Sequence, residues 1–202
     1  MQPSLSYKES IQYSQWWGLC PLWCSHAALY PQSSFSASIG LLLPWKYFAD
    51  EINSPYYGVY NAENMELLIG QNTQEKIAIA SITKIMTAIV TIDNIQDVNE
   101  KITIDMESIY GKVDEDLVTA GLLDEEELTY YDLLATMLVP SGADHAVYLQ
   151  NTVFGDENVF IDKMNEKAQE IGMYNTHFSN VTGLDDENNY STIEDVAKMM
   201  NY

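Results

Sequence analysis

The stretch "ASITKIMTAIV", residues 80–90, decides how this chain is read. Ile82, Ile85, Met86, Ile89 and Val90 recur at the spacing of one helical face, which predicts a helix from about 81 to 94. Ser81 opens the run and Lys84 follows three positions later, so on a helix the two side chains share a face. A serine at such a place is ordinarily an N-cap, and the pattern S-x-x-K taken alone favours that plain reading. Lys84 is the less ordinary residue. Its neighbours Ile82, Ile85, Met86 and Ala88 are apolar. A lysine buried among them gives up its proton easily and can serve as a base toward an adjacent hydroxyl.

Outward from this run, the 202 residues are enough for one well-buried core or a domain with an appendage. With 47% hydrophobic and 19% charged residues the composition is globular rather than disordered. A formal charge of −21, from 30 acids against 9 bases, excludes binding to a phosphate backbone, which needs clustered Lys and Arg; no nucleic acid is expected as a partner. Prolines and polar residues interrupt every stretch of spanning length, which argues against an integral membrane protein.

Charge also marks a boundary. Between Ser10 and Trp45 there is no Asp, Glu, Lys or Arg, and residues 1–50 hold all four tryptophans, both cysteines and four of the six prolines. Residues 1–50 are therefore read as an irregular N-terminal extension or a degenerate leader, and residues 51–202 as the acidic domain. Lys8 is offset by Glu9, and Pro21 breaks the apolar "WWGLCPLWC", so a clear secretory signal is missing. Cys20, Cys24 and His26 have no second ligand pair to complete a zinc site, which leaves a free thiol pair or a local disulfide.

In the acidic domain, "YYGVYNAENMELLIG" (56–70) predicts two short strands joined by a turn at "NAEN", and "KITID" (101–105) a further short strand. Thr129, with Asp132 three residues on, predicts the start of a helix that Pro140 closes. Helices follow at about 143–152 and from Asp156 to about Met173, the second with Val159, Phe160, Met164, Ala168 and Ile171 as its apolar stripe. Ser191 and Glu194 have the spacing of a capping box for a last helix. These strands are fewer than a stable sheet requires. Ser141, in "LVPSGADHA", would by itself be an N-cap. His145 and His177 could act as a base or as ligands, but lone histidines beside an apolar helix are more often structural. The acidic runs 124–127 and 185–187 read as solvated turns without the ligand pattern of a calcium loop, and no metal or cofactor is expected.

Three of these segments fall in a known order. "ASITKIMTAIV", then "DEEELTYYDLLATMLVPSGADHAV", then "NTHFSNVTGLDDENNYST" resemble the successive motifs of the serine-type D-alanyl-D-alanine carboxypeptidases, the low-molecular-mass penicillin-binding proteins of peptidase family S11. The resemblance covers about residues 56–202. It implies an α/β (α+β) fold of the β-lactamase/transpeptidase type, a sheet packed with helices. It implies that Ser81 is the nucleophile, Lys84 its base and Ser141 a proton relay, with Gly142 and Ala143 beside the substrate. The substrate would be a peptidoglycan stem peptide, β-lactams would be acylating inhibitors, and the location would be outside the cytoplasm. Two positions depart from the family. Ala143 stands where an asparagine is usual, so its carboxamide is missing unless Asp144 or a water replaces it. No Lys-Thr-Gly occurs in the chain, which leads to the expectation that it is the N-terminal part of a longer enzyme, cut before the later strands. A serine β-lactamase, or a non-catalytic cell-wall-binding relic, are the alternatives.

Overall fold

The computed structural model describes residues 52–202. The extension or leader expected over residues 1–50, and the pairing of Cys20 with Cys24, lie outside the described residues.

The predicted hairpin forms as β1 (Tyr57–Tyr60) and β2 (Leu67–Gln71), antiparallel, with Tyr57 opposite Gln71 and a bulge between Val59 and Tyr60. Its tight turn is built on Asn61, which accepts from the Glu63 N–H at 2.8 Å, the local bonding that makes Asn a turn former. The opening run then begins with a 3₁₀ turn at Ala80–Ile82 and continues as α1 (Thr83–Asn94). Met86, Ala88 and Val90 face the core, and Lys84, Thr83, Thr87 and Thr91 are buried with them. The alternation in "KITID" forms β3 (Lys101–Thr103), paired antiparallel with β4 (Glu127–Thr129) in a second two-stranded sheet. The acidic run 124–127 is thus not wholly a turn. Glu127 is exposed and stands opposite Thr103, so a strand forms where composition suggested solvated loop.

α2 (Tyr130–Leu138) starts on the predicted capping box: Thr129 Oγ1 accepts from the Asp132 N–H at 3.1 Å, and the Asp132 carboxylate accepts from the Thr129 N–H at 3.0 Å. It ends just before Pro140, whose ring has no N–H to offer. α3 (Ala143–Phe154) is the central element, with every residue from Ala143 to Gln150 buried, packed against α1, α2 and α4 (Glu157–Glu170). It ends where Gly155 takes the left-handed conformation, φ 70°, that a helix C-terminus needs and a side chain disfavours. Phe160 on α4 is fully buried and meets Phe154 edge to face at 5.6 Å. Burial of a ring that size stabilises by roughly 2–3 kcal/mol.

α5 (Ile193–Asn201) packs on β1 and begins one residue later than the sequence suggested. Thr192 is its cap and accepts from the Asp195 N–H at 3.1 Å. Ser191 is already engaged: its backbone bridges Ile77, and its buried hydroxyl bonds Thr176 Oγ1 at 2.7 Å. A residue pinned in a β-bridge is not free to turn its hydroxyl onto the helix. Among the described residues no helix is long and apolar enough to cross a membrane.

Candidate active site

Ser81 and Ser141 sit at helix starts, yet neither caps its helix. No side chain caps the turn at Ala80–Ile82 or α1, and Gly142 is the N-cap of α3, again without a side-chain bond. Both hydroxyls turn instead toward Lys84. Its Nζ lies 3.1 Å from Ser81 Oγ and 3.3 Å from Ser141 Oγ, and the two oxygens are 2.9 Å apart. Two irregular backbone positions make this possible. Ala80 has φ 45° and Ser141 φ 68°, conformations that L-residues adopt at a cost of about 1 kcal/mol or more and that concentrate at functional sites.

The three groups differ in access. Ser81 is exposed, Ser141 half-buried, and Lys84 only 3% exposed. Burial pushes the Lys84 amine below the ordinary lysine value, because a charge in apolar surroundings forgoes its hydration. Its remaining partner is the backbone carbonyl of Thr182, which accepts from Nζ at 2.7 Å. A neutral amine here has two N–H groups and one lone pair, and the ring closes. Ser81 O–H can donate to the amine, the amine to Ser141 Oγ, and Ser141 O–H back to Ser81 Oγ. With the amine unprotonated, such an arrangement can activate a hydroxyl that is exposed on its other side.

The residues following Ser141 play other parts. Gly142 and Ala143 are buried, and their N–H groups go to the carbonyls of Thr136 at 3.3 Å and Val118 at 2.8 Å. Asp144 does not replace the missing carboxamide. Its carboxylate accepts from the N–H groups of Ala120, Gly121 and Leu122 at 2.9, 2.8 and 3.1 Å, and from His145 Nδ1 at 3.0 Å. Burial works against that charge, but the bonds from His145 and the three backbone donors outweigh it and hold the carboxyl well below its ordinary range. Asp144 thereby ties the segment 120–122 to the start of α3. His145 is 3% exposed and spent on Asp144; His177 Nδ1 lies 2.6 Å from the Asn188 carbonyl, and its ring stacks on Tyr190. Neither reaches the serines. Among the described residues no cluster of three or more His, Cys, Asp or Glu could hold a metal ion.

Sequence reasoning did not single out the Thr182 carbonyl or the Thr87 hydroxyl that bonds the Val181 carbonyl at 2.8 Å; Asn180, which shapes their turn, lay in the segment that resembles the family but was given no role. The available signal was Gly183, in "NVTGL". At φ 83° it lies against the nucleophile's own turn, where a Cβ would stand 2.0 Å from the Ala80 oxygen.

Comparison with known proteins identifies the family of the chain. The D-alanyl-D-alanine carboxypeptidase family, Peptidase S11, matches residues 46–202. The D-alanyl-D-alanine carboxypeptidase DacF of Bacillus subtilis is 36% identical over 139 residues, covering 66% of this chain and 34% of the relative. A D-alanyl-D-alanine endopeptidase of Haemophilus influenzae is 33% identical over 149 residues, 72% of this chain and 49% of the relative. The solved penicillin binding protein 5 of Haemophilus influenzae superposes with a TM-score of 0.67 at 26% identity, over 74% of this chain and 44% of that one. The chain thus spans between a third and a half of the length of these relatives.

Proposed function

The chain belongs to the D-alanyl-D-alanine carboxypeptidase family of serine peptidases, and from that premise we propose that Ser81, Lys84 and Ser141 are the acylation machinery of a DD-carboxypeptidase acting on peptidoglycan stem peptides. The observation that carries the reading is the closed contact of the three side chains around a buried amine of lowered pKa.

In this reading Ser81 Oγ attacks the carbonyl carbon of the penultimate D-alanine while its proton passes to Lys84 Nζ. The oxyanion forms beside the Ser81 backbone N–H, at the start of a helical turn that favours negative charge. The C–N bond then breaks. Ser141, 3.3 Å from Lys84 and 2.9 Å from Ser81, hands a proton to the departing D-alanine amine and is recharged by Lys84. The ester on Ser81 is hydrolysed by water, which returns the hydroxyl and releases the shortened peptide. A β-lactam would acylate the same oxygen by opening its ring, with no leaving group to depart. Gly142 and Ala143 contribute shape alone, since their N–H groups are committed. Such a substrate lies outside the cytoplasm, where the domain 51–202 is proposed to act.

A specific finding keeps a second reading in play: a relative at 33% identity is an endopeptidase. Acylation would be identical and only the leaving amine would differ. Labelling the protein with a fluorescent penicillin tests the chemistry common to both. One covalent adduct per chain is expected, absent in Ser81→Ala. Labelling that persists in Ser81→Ala, or none in the wild-type chain, overturns the assignment. Product analysis with a pentapeptide and a cross-linked dimer separates the two substrates.

A further inference from the structure

The shortest contact of Lys84 is with the Thr182 carbonyl, at 2.7 Å, rather than with either serine. One turn further along α1, Thr87 Oγ1 donates to the preceding carbonyl, Val181, at 2.8 Å. Two side chains at i and i+3 of the helix therefore grip two consecutive carbonyls of one turn. Most of the bonds within that turn go to one side chain, with Thr182 Oγ1 adding a 3.3 Å contact from the Leu184 N–H. Asn180 Oδ1 accepts from the N–H groups of Thr182, Gly183 and Leu184 at 3.2, 2.7 and 3.1 Å, and Nδ2 donates to the Leu184 carbonyl at 3.0 Å. The same turn presses Gly183 against the Ala80–Ser81 backbone, too close for any side chain. Asn180 is thus the hub of a segment touching both the nucleophile's backbone and its base.

The consequence follows from the donor inventory of an amine. A neutral Lys84 can place its lone pair on Ser81 only if its two N–H groups are directed elsewhere. Ser141 Oγ takes one, and the Thr182 carbonyl, which does not titrate, takes the other. We propose that Asn180 is a positioning residue for acylation: by holding its turn it fixes the Thr182 carbonyl, so that Lys84 presents its lone pair to Ser81. The role in turnover rests on the acylation chemistry proposed above; the role in orienting the amine does not.

The test uses the 202-residue chain, with the folded fraction of each variant set by its thermal melt. In Asn180→Ala the acylation rate at saturating penicillin is expected to fall about 10- to 100-fold, the range that misplacing a reacting group produces. The half-saturating concentration should move far less, since no group that meets the ligand is removed. Asn180→Asp should recover part of the lost rate, because its carboxylate can accept from the same three N–H groups although it cannot donate to the Leu184 carbonyl. A merely structural role would lower the melting temperature and leave the rate of the folded protein untouched. Independently of turnover, the Lys84 13Cε and 1Hε resonances should shift in Asn180→Ala and move part of the way back in Asn180→Asp. A folded Asn180→Ala that acylates at the wild-type rate, or whose Lys84 resonances stay in place, overturns the proposal. Should Asn180→Ala not fold, Asn180→Ser, whose shorter side chain can serve only part of the turn, is judged by the same criteria. If the wild-type chain takes no label at Ser81, the acylation reading fails on its own and the Lys84 resonances still decide the role of Asn180.

Discussion

α2, α4 and α5 begin with a side chain that accepts from the first turn of the helix: Thr129, Asp156 and Thr192. α1 and α3, whose starts bring Ser81, Lys84 and Ser141 together, have no such cap although a serine is available at each. The scaffold helices use their hydroxyls and carboxylates on their own backbones. The site helices leave theirs free and place them by left-handed residues, Ala80 and Ser141. The contrast teaches that the stability of a helix start and the availability of a nucleophile draw on the same hydroxyl. A serine that caps has spent the lone pair and the geometry that catalysis would use.

The sharpest way to break this contrast is at Lys84. Lys84→Met keeps the stem and removes the amine, and Ser81 then has a neighbouring hydroxyl but no base. Acylation is expected to fall by about 10²- to 10⁴-fold, the usual contribution of a positioned base. The wild-type rate should rise with pH through the lowered Lys84 value and level off below the ordinary lysine range. Stability carries the same signature. Since the folded-state value is depressed, the unfolded chain holds the Lys84 proton more readily. Well above the ordinary lysine value neither state is protonated, and the penalty is absent. As pH falls from that value toward the lowered one the penalty grows, and below the lowered one it is complete. Melting temperatures of Lys84→Met and wild type should therefore diverge in favour of the variant as pH falls through that window. A difference independent of pH would mean that burial does not lower the Lys84 value.

How far the sequence revealed this depended on the range of the interaction. The helices were legible because 3.6-residue periodicity, the Thr129 box and Pro140 are local signals, and Tyr57–Gln71 was legible as a hairpin by its turn. The trio could be nominated because Ser81 and Lys84 are three residues apart, although its third member is 57 residues from the lysine and came from resemblance. What stayed hidden acts through the backbone or across long loops. The Thr182 carbonyl has no sequence signature, and 98 residues separate it from Lys84. Asp144, which with a water was one of two alternatives for the missing carboxamide, reaches back 24 residues to Ala120. Glu127–Thr129 pairs as a strand against an acidic composition that suggested solvent, because its partner Lys101–Thr103 supplies the ladder.

A milder test acts on the scaffold side. Asp156 Oδ1 accepts from the N–H groups of Asn158 and Val159 at 2.8 and 3.3 Å and does nothing else for the site. Asp156→Ala should lower stability by about 1 kcal/mol, the usual loss for an N-cap. Acylation of the folded protein should not change. Ser81→Ala is the mirror case, with acylation abolished and stability altered by no more than about 0.5 kcal/mol, as for a substitution that removes no cap. Denaturant titrations of the pair measure both. Equal destabilisation by the two substitutions would erase the distinction between scaffold and site helix starts.

The smallest effect isolates the backbone at Ser141. Ser141→Ala and Ser141→Gly both delete the hydroxyl, so the lost contacts with Ser81 and Lys84 are common to the two and cancel in the comparison. What remains is the conformation, φ 68°. Alanine meets the steric penalty of that region, whereas glycine occupies it freely but leaves a more flexible unfolded chain. The two terms oppose each other, and the first is the larger, so Ser141→Gly should be more stable than Ser141→Ala by a few tenths to about 1 kcal/mol. Both variants should acylate poorly, because neither offers a relay between Lys84 and the leaving amine. If alanine proves as stable as glycine, the left-handed residue before α3 carries no strain, and the hydroxyl is placed there at no expense to the fold. If glycine is the more stable, the serine is retained against the local preference of the backbone, as a group kept for its chemistry would be.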